Sequence, residues 1–369
     1  MTLLKFELRK NIPKQKLYIL ILILICLSTF FFVRNLSLQT MIINEEETEI
    51  ESTLQSTYQI ISGHRNQLQI TSDNDQEREL LEVSIEIKDR LLDFRSAHRQ
   101  DDWRATLESE NKFYEIVKDY EAQGGHFPIS DEELTESYAM NEELLDRDIP
   151  KEHDSYSIAT PNYMMQVFNW LSTYGIFILL LVFLGSILTR EYENRSARLL
   201  FTQPIKRINL IISKMAVSFF VFLISIVGIL LFTFVISTFF GEEGSFNYPI
   251  LIHTSDGIAF ISIISYLTKS LLLVTVAFIL FFSYYFLLSL LFKNTVMAML
   301  ALLISIILVN LINDILLDYI SGWFNPFMNL FVHEAIVNQS TFLWYEGIFA
   351  AILLSSILIW LSKLLIKRQ

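Results

Sequence analysis

One cysteine, Cys26, stands in a chain of 369 residues, so no disulfide can close within it and oxidation does not hold the fold. Glycine and proline are scarce, and neither occurs from His64 to Gln123. A stretch of that length without breakers favours long helices over short strands and turns. No G-x-x-x-x-G-K-[ST] occurs anywhere, which excludes the phosphate cradle built from that loop. No Ser–His–Asp set or close carboxylate pair stands out. His333 and Glu334 open like a zinc-protease motif, but Val337 stands where the second histidine belongs. His64, His98, His126 and His153 share an acidic region without paired ligand spacing, as solvated surface histidines do. No enzyme is expected, and no cofactor or metal held by this chain.

Charge is also sparse, at 18% of residues against 52% hydrophobic ones, with thirty phenylalanines. That composition suits a protein dissolved partly in lipid. A membrane span needs about 20 apolar residues, and six runs qualify: 17–33, 164–188, 208–240, 270–292, 295–312 and 343–362. The first exceeds a usual signal core, and Phe30, Phe31 and Phe32 occupy the place of a small-residue cleavage site, so it reads as a retained anchor. The expected fold class is an all-α polytopic membrane protein with six transmembrane helices. A large α-helical extracellular domain, 34–160, separates helices one and two.

Orientation follows from lysine and arginine in short loops. The segment 1–16 carries Lys5, Arg9, Lys10, Lys14 and Lys16; Lys293 lies between spans four and five; the tail 363–369 carries Lys363, Lys367 and Arg368. The loops 241–257 and 313–342 carry no lysine or arginine. Both termini are therefore expected in the cytoplasm. Residues 34–160 hold 30 acids and 12 bases, a net −18, while the rest holds 10 acids and 16 bases, a net +6. The overall charge of −12 thus belongs to one domain and argues against a nucleic-acid partner.

Within 34–160, Leu80, Val83, Ile87, Leu91 and Phe94 recur at helical spacing, as do Leu107, Phe113, Val117 and Tyr120. A break over 98–103 predicts Asp101 or Asp102 as the next helix cap, and Ser130 with Glu133 predicts a capping box. Segment 1–16 suits an amphipathic helix on the cytoplasmic lipid surface, or equally a basic stub that fixes orientation. Residues 258–268 are apolar but too short to cross, predicting an outer interfacial segment. Residues 319–337, around Pro326, predict an outer re-entrant or amphipathic element.

The loop between spans two and three, 189–207, leads into "TREYENRSARLLFTQPIKRINLIISK" (189–214), which packs six basic residues into a short break. Its acid start, leucine pair, proline, basic residue and lysine resemble the corresponding loop of ABC-2 type transporter permeases. The matching residues are Glu193, Leu199, Leu200, Pro204, Arg207 and Lys214; Arg195 and Ser196 depart from the Gly-Thr that often follows the acid. "LSLLFKNTVMAM" (288–299) resembles that family's turn between spans four and five. The resemblance covers the six-span layout and both cytoplasmic turns, but not 34–160.

It implies the transmembrane permease subunit of a bacterial ABC exporter in the cell membrane. Such a subunit moves a hydrophobic or amphipathic substrate, such as a peptide, lipid-like molecule or drug, and some family members protect against antimicrobial peptides. The implied partners are cytoplasmic ABC ATPase subunits, which bind the ATP and magnesium, a second permease copy or a related permease, and membrane lipids. The implied coupling residues are Glu191, Glu193, Arg195, Arg198, Leu199, Leu200, Pro204, Arg207 and Lys214. A short stiff turn can convert a partner's movement into helix tilting, and its carboxylates and arginines would give charge-assisted contacts. Three other readings stay open: a basic loop that only sets topology, a membrane-anchored sensor with an extracellular ligand-binding domain, and a structural scaffold.

Overall fold

The structure, a computed structural model, describes residues 14–70, 74–100, 102–153, 155–175, 193, 207–319, 322–327 and 331–368. It is mainly helical. Helix α1, Lys14–Ile70, runs 57 residues without interruption, about 85 Å at 1.5 Å per residue. The apolar run ends near residue 33, but the helix does not, because nothing between Pro13 and Gly63 breaks it. A single rod therefore serves both the membrane and the domain beyond it.

That domain adds α2 (Asp75–Arg99), α3 (Trp103–Ala122) and α4 (Asp131–Arg147). Each starts on a side-chain cap: Asn74 accepts from the Glu77 amide, Asp102 from Ala105 and Ser130 from Glu133. These caps satisfy amides that the first helical turn leaves without partners. Ile87, Val117, Phe127 and Leu134 are fully buried in the core shared with Leu54 of α1. Asp148 closes α4 in the left-handed region at φ 57°, with the Ile149 amide returning to the Leu144 carbonyl. A half-buried polar tie joins three helices: His64 Nδ1 lies 2.5 Å from Glu77 Oε1, and its Nε2 lies 2.7 Å from the Tyr120 hydroxyl.

After α5 (Thr160–Trp170) and a π-helical turn, Leu171–Gly175, the described chain resumes in α6 (Arg207–Phe240). A hairpin follows, β1 (Pro249–Thr254) and β2 (Gly257–Ser262). Then come α7 (Ile263–Phe292), α8 (Thr295–Tyr319), a 3-10 turn at Gly322–Phe324, α9 (Val332–Val337), β3 (Asn338–Gln339) and α10 (Glu346–Arg368). Among the described residues, α1, α6, α7 and α10 are long and apolar enough to cross a membrane, and α8 carries a shorter apolar stretch over Thr295–Val309. Most of the expected span 164–188 lies outside the described residues, as does 1–13.

Helix α7 is the bundle's central post. It packs on α8 and α10, and Leu273, Phe278, Phe282 and Tyr285 are buried. The Phe222 and Phe278 rings stack with centroids 4.2 Å apart, joining α6 to α7. Serine hydroxyls here return to their own helix: Ser225 donates to the Val221 carbonyl, Ser283 to Ile279 and Ser362 to Leu358. These three hydroxyls are satisfied locally, as a medium without water favours.

Two sequence expectations change here. Residues 258–268 are not one interfacial segment: 257–262 form β2, and 263 onward begin α7. Thr254 pairs with Gly257 across a two-residue loop, Ser255–Asp256, and Gly257 takes φ +116°. In the described parts of 319–337, the chain forms a 3-10 turn and then α9, whose following strand β3 pairs parallel with β1. These loops thus build a small sheet of order β2-β1-β3. Arg147 of α4 donates to the Asn247 carbonyl at 2.6 Å, tying the helical domain to this sheet. Close backbone contact completes the junction: a Cβ on Gly241 would lie 2.2 Å from the Ile158 carbonyl oxygen.

Candidate functional site

Two places combine polar chemistry with position. The first lies at the bundle end distant from the helical domain, where α7 reverses into α8. Lys293 caps α7 in the left-handed region at φ 55°. Asn294 Oδ1 then accepts from the Val296 and Met297 amides at 2.9 and 3.1 Å. The first amide of α8, Thr295, donates to Glu193 Oε1 at 2.8 Å. A carboxylate at a helix N-terminus takes both a hydrogen bond and the favourable end of the helix dipole. This bond from the Thr295 amide, with its hydroxyl second, holds the Glu193 carboxyl below the usual carboxylate range. The two turns singled out separately in the sequence therefore meet, through Glu193.

Of the other residues the resemblance marks, Arg207 is the first residue of α6. Lys214 is buried inside the structure at 1% exposure, flanked by buried Ser213 and Ser218. An ammonium removed from water needs protein partners, and Lys214 has one within the structure. Glu191, Arg195, Arg198, Leu199, Leu200 and Pro204 lie outside the described residues.

The second place is a partly open cavity of about 1740 Å³ between the helical domain and the membrane helices. Its lower wall is aromatic: the Phe31 and Trp170 rings lie 5.3 Å apart. The Arg34 guanidinium sits 5.2 Å from the Phe31 centroid and 5.0 Å from that of Tyr156. Aromatic rings with an arginine at the end of an apolar run mark a lipid–water boundary. Its upper wall is acidic, with Glu45, Glu49 and Glu133 on α1 and α4. Glu110 is buried in between, accepting from Asn141 at 2.9 Å and facing the Lys151 ammonium at 3.2 Å. Burial pushes the nearby Glu152 carboxyl up, while the Ser157 hydroxyl donates to it at 2.7 Å and partly offsets the shift.

One cluster in that wall escaped the sequence. His333 serves as a hydrogen-bond partner: its Nδ1 lies 2.9 Å from the Tyr266 hydroxyl, which donates to Asn169 Oδ1 at 2.6 Å. These three residues lock α5, α7 and α9 together. Separated by 67 and 97 positions, they carry no local signal. Among the described residues, no group of three or more His, Cys, Asp or Glu could hold a metal.

A family model described as ABC-2 family transporter protein matches residues 1–362, nearly the whole chain. No curated protein and no solved structure matches. The chain belongs to the ABC-2 family of transporter proteins, as a membrane protein of several apolar helices.

Proposed function

We propose that this ABC-2 family member is the permease subunit of a bacterial ABC exporter, lying across the cell membrane six times with both termini in the cytoplasm. It takes its work from separate ATPase subunits, which bind the ATP and magnesium, and pairs with a second copy or a related permease. Its cargo is a hydrophobic or amphipathic molecule, with resistance to antimicrobial peptides one use of such transport. The residue 34–160 domain stands outside the cell. The family match supports the transporter class, and the chain itself lacks a nucleotide-binding loop.

The observation that carries the coupling reading is the Glu193 bond to the α8 N-terminus. A loop that only set topology would need its basic residues and nothing more. Here its acid is fixed to the other turn at the same end of the bundle, so force applied at Glu193 reaches the turn between α7 and α8.

The test replaces Glu193 with Lys and Leu200 with Asp. The expected result is normal membrane level with lost co-purification of the ATPase and lost transport-coupled ATP hydrolysis, since an unpaired charge at an interface is costly. A control exchanging Arg190 and Lys206 for Gln keeps assembly. Assembly and hydrolysis like wild type in the double variant would reduce the loop to a topology determinant. Orientation is checked separately. In a Cys26→Ser background, cysteine at the exposed Ser52 should react with an impermeant thiol reagent in intact cells, and cysteine at exposed Lys293 should not.

A further inference from the structure

The acidic run "NEEETEIE" (44–51) on α1 is divided by the structure into two faces. Glu47 and Glu51 turn toward α2, where Arg99 Nε lies 2.8 Å from Glu47 and Arg95 and Arg99 reach Glu51 at 4.0 and 3.7 Å. Glu45, Glu46 and Glu49 turn to the cavity instead. Glu46 has only His98, at 3.9 Å, and no ion pair of Glu45, Glu49 or Glu133 occurs among the described residues. The arginines of the domain thus neutralise one face of the run and leave the other bare.

The cations that do line the cavity are engaged elsewhere. Lys151 faces Glu110, and Arg34 lies over two rings and donates to Asn35 at 2.9 Å. Bare carboxylates at the top and aromatic rings at the bottom give the cavity two unlike ends. Glu45 and Glu49 lie 14 and 18 positions beyond Phe31 on one unbroken helix, roughly 21 to 27 Å at the helical rise. The volume exceeds the roughly 300–1,000 Å³ of a drug-sized pocket, and the aromatic end sits at the level where apolar tails leave lipid.

We propose that this cavity binds a cationic amphiphile, its positive group against Glu45, Glu49 and Glu133 and its apolar part along the floor at Phe31 and Trp170. Charge complementarity selects the cation. An anionic headgroup beside Glu45, Glu49 and Glu133 would be repelled, and a neutral one would leave their field unanswered. As a substrate site this rests on the exporter reading, but binding needs neither ATPase nor transport.

The experiment uses the purified full chain in zwitterionic nanodiscs. The probe is a long-chain alkyltrimethylammonium with a terminal bromine, which quenches tryptophan on contact. Quenching should saturate, be displaced by the unbrominated amine, and lose its saturable part in Trp170→Phe. The matching bromoalkyl maltoside and bromo-fatty acid should show only the linear quenching of lipid partition. Glu45→Gln with Glu49→Gln should raise half-saturation on the order of tenfold, whereas Glu47→Gln with Glu51→Gln, on the opposite face, should leave it unchanged. Displacement by a Lys/Leu amphipathic peptide better than by the unbrominated amine would identify the cationic ligand as peptide-like; the reverse would identify it as lipid-like. Equal quenching by all three headgroups, no saturable component, or equal losses in the two Gln pairs overturns the proposal. Failure here leaves the ATPase co-purification test standing, and failure there leaves this one standing.

Discussion

Helix α3 carries a charged residue every few positions, starts on Asp102, and buries one face through Leu107, Phe113, Val117 and Tyr120. Helix α7, ten residues longer, has Lys269 as its only charge; its ammonium lies 5.5 Å from the Trp344 ring, near the helix's start. In the first region, burial against water sorts faces, and side chains cap helix ends. In the second, Phe220, Leu231 and Phe239 of the neighbouring α6 stand exposed as freely as Phe222 and Ile226 are buried, because lipid accepts either. Stability in the domain rests on apolar transfer and caps, and in the bundle on packing.

The seam between the regions should be the most sensitive place. Gly241→Val puts a side chain onto the Ile158 backbone, and overpacking against main chain should cost about 3 kcal/mol. A large fall in melting temperature with early aggregation is expected, and a variant that melts like wild type would show that the regions are only loosely joined. Next, Leu134→Ala, fully buried in the domain, should cost about 3 kcal/mol, against about 1–2 kcal/mol for the equally buried Leu273→Ala in α7, which loses packing but little transfer from water. Denaturant unfolding followed by hydrogen exchange in each region measures both, and equal losses would erase the contrast. Asp102→Ala removes one cap and should cost about 1 kcal/mol, visible as faster exchange at the start of α3.

The smallest effect concerns Glu193. Its carboxyl is held below the ordinary range, so its bond to α8 is intact above the unfolded value and is lost as pH falls through the lower native one. The Thr295 amide should therefore keep its protection at neutral pH and lose it only in acid. Glu193→Ala should exchange there a few-fold faster at neutral pH. Unchanged exchange would mean that the turn at Asn294 stands by itself.

Much of the helical domain was legible beforehand because its signals are local. Asp102 and Ser130 cap as their spacing predicts, and Leu80, Ile87 and Leu91 face inward at the helical period. The hairpin was not read, although Asp256–Gly257 is a strong turn signal. Its strands are apolar enough to pass for a membrane-surface segment, and a sequence without a stated solvent does not decide between them. The continuity of α1 past residue 33 was hidden by a change of composition, where only a glycine or proline would have marked a change of structure. At the candidate sites, Glu193 stood out, but its partner amide 102 positions away did not. Lys214 stood out as the lysine that closes the loop motif, but its burial carries no local signal.

The uninterrupted α1 has a mechanical meaning. From Arg34 at the lipid boundary to Ile70 is 36 positions, about 54 Å of stiff rod. Tilting the buried part by about 5° about that boundary would swing the far tip by roughly 5 Å. Glu45 and Glu49, nearer the fulcrum, would move by about 1.5 to 2 Å. Geometry alone makes α1 an amplifying lever, in which a slight rocking of the anchor becomes a change in the width of the cavity mouth.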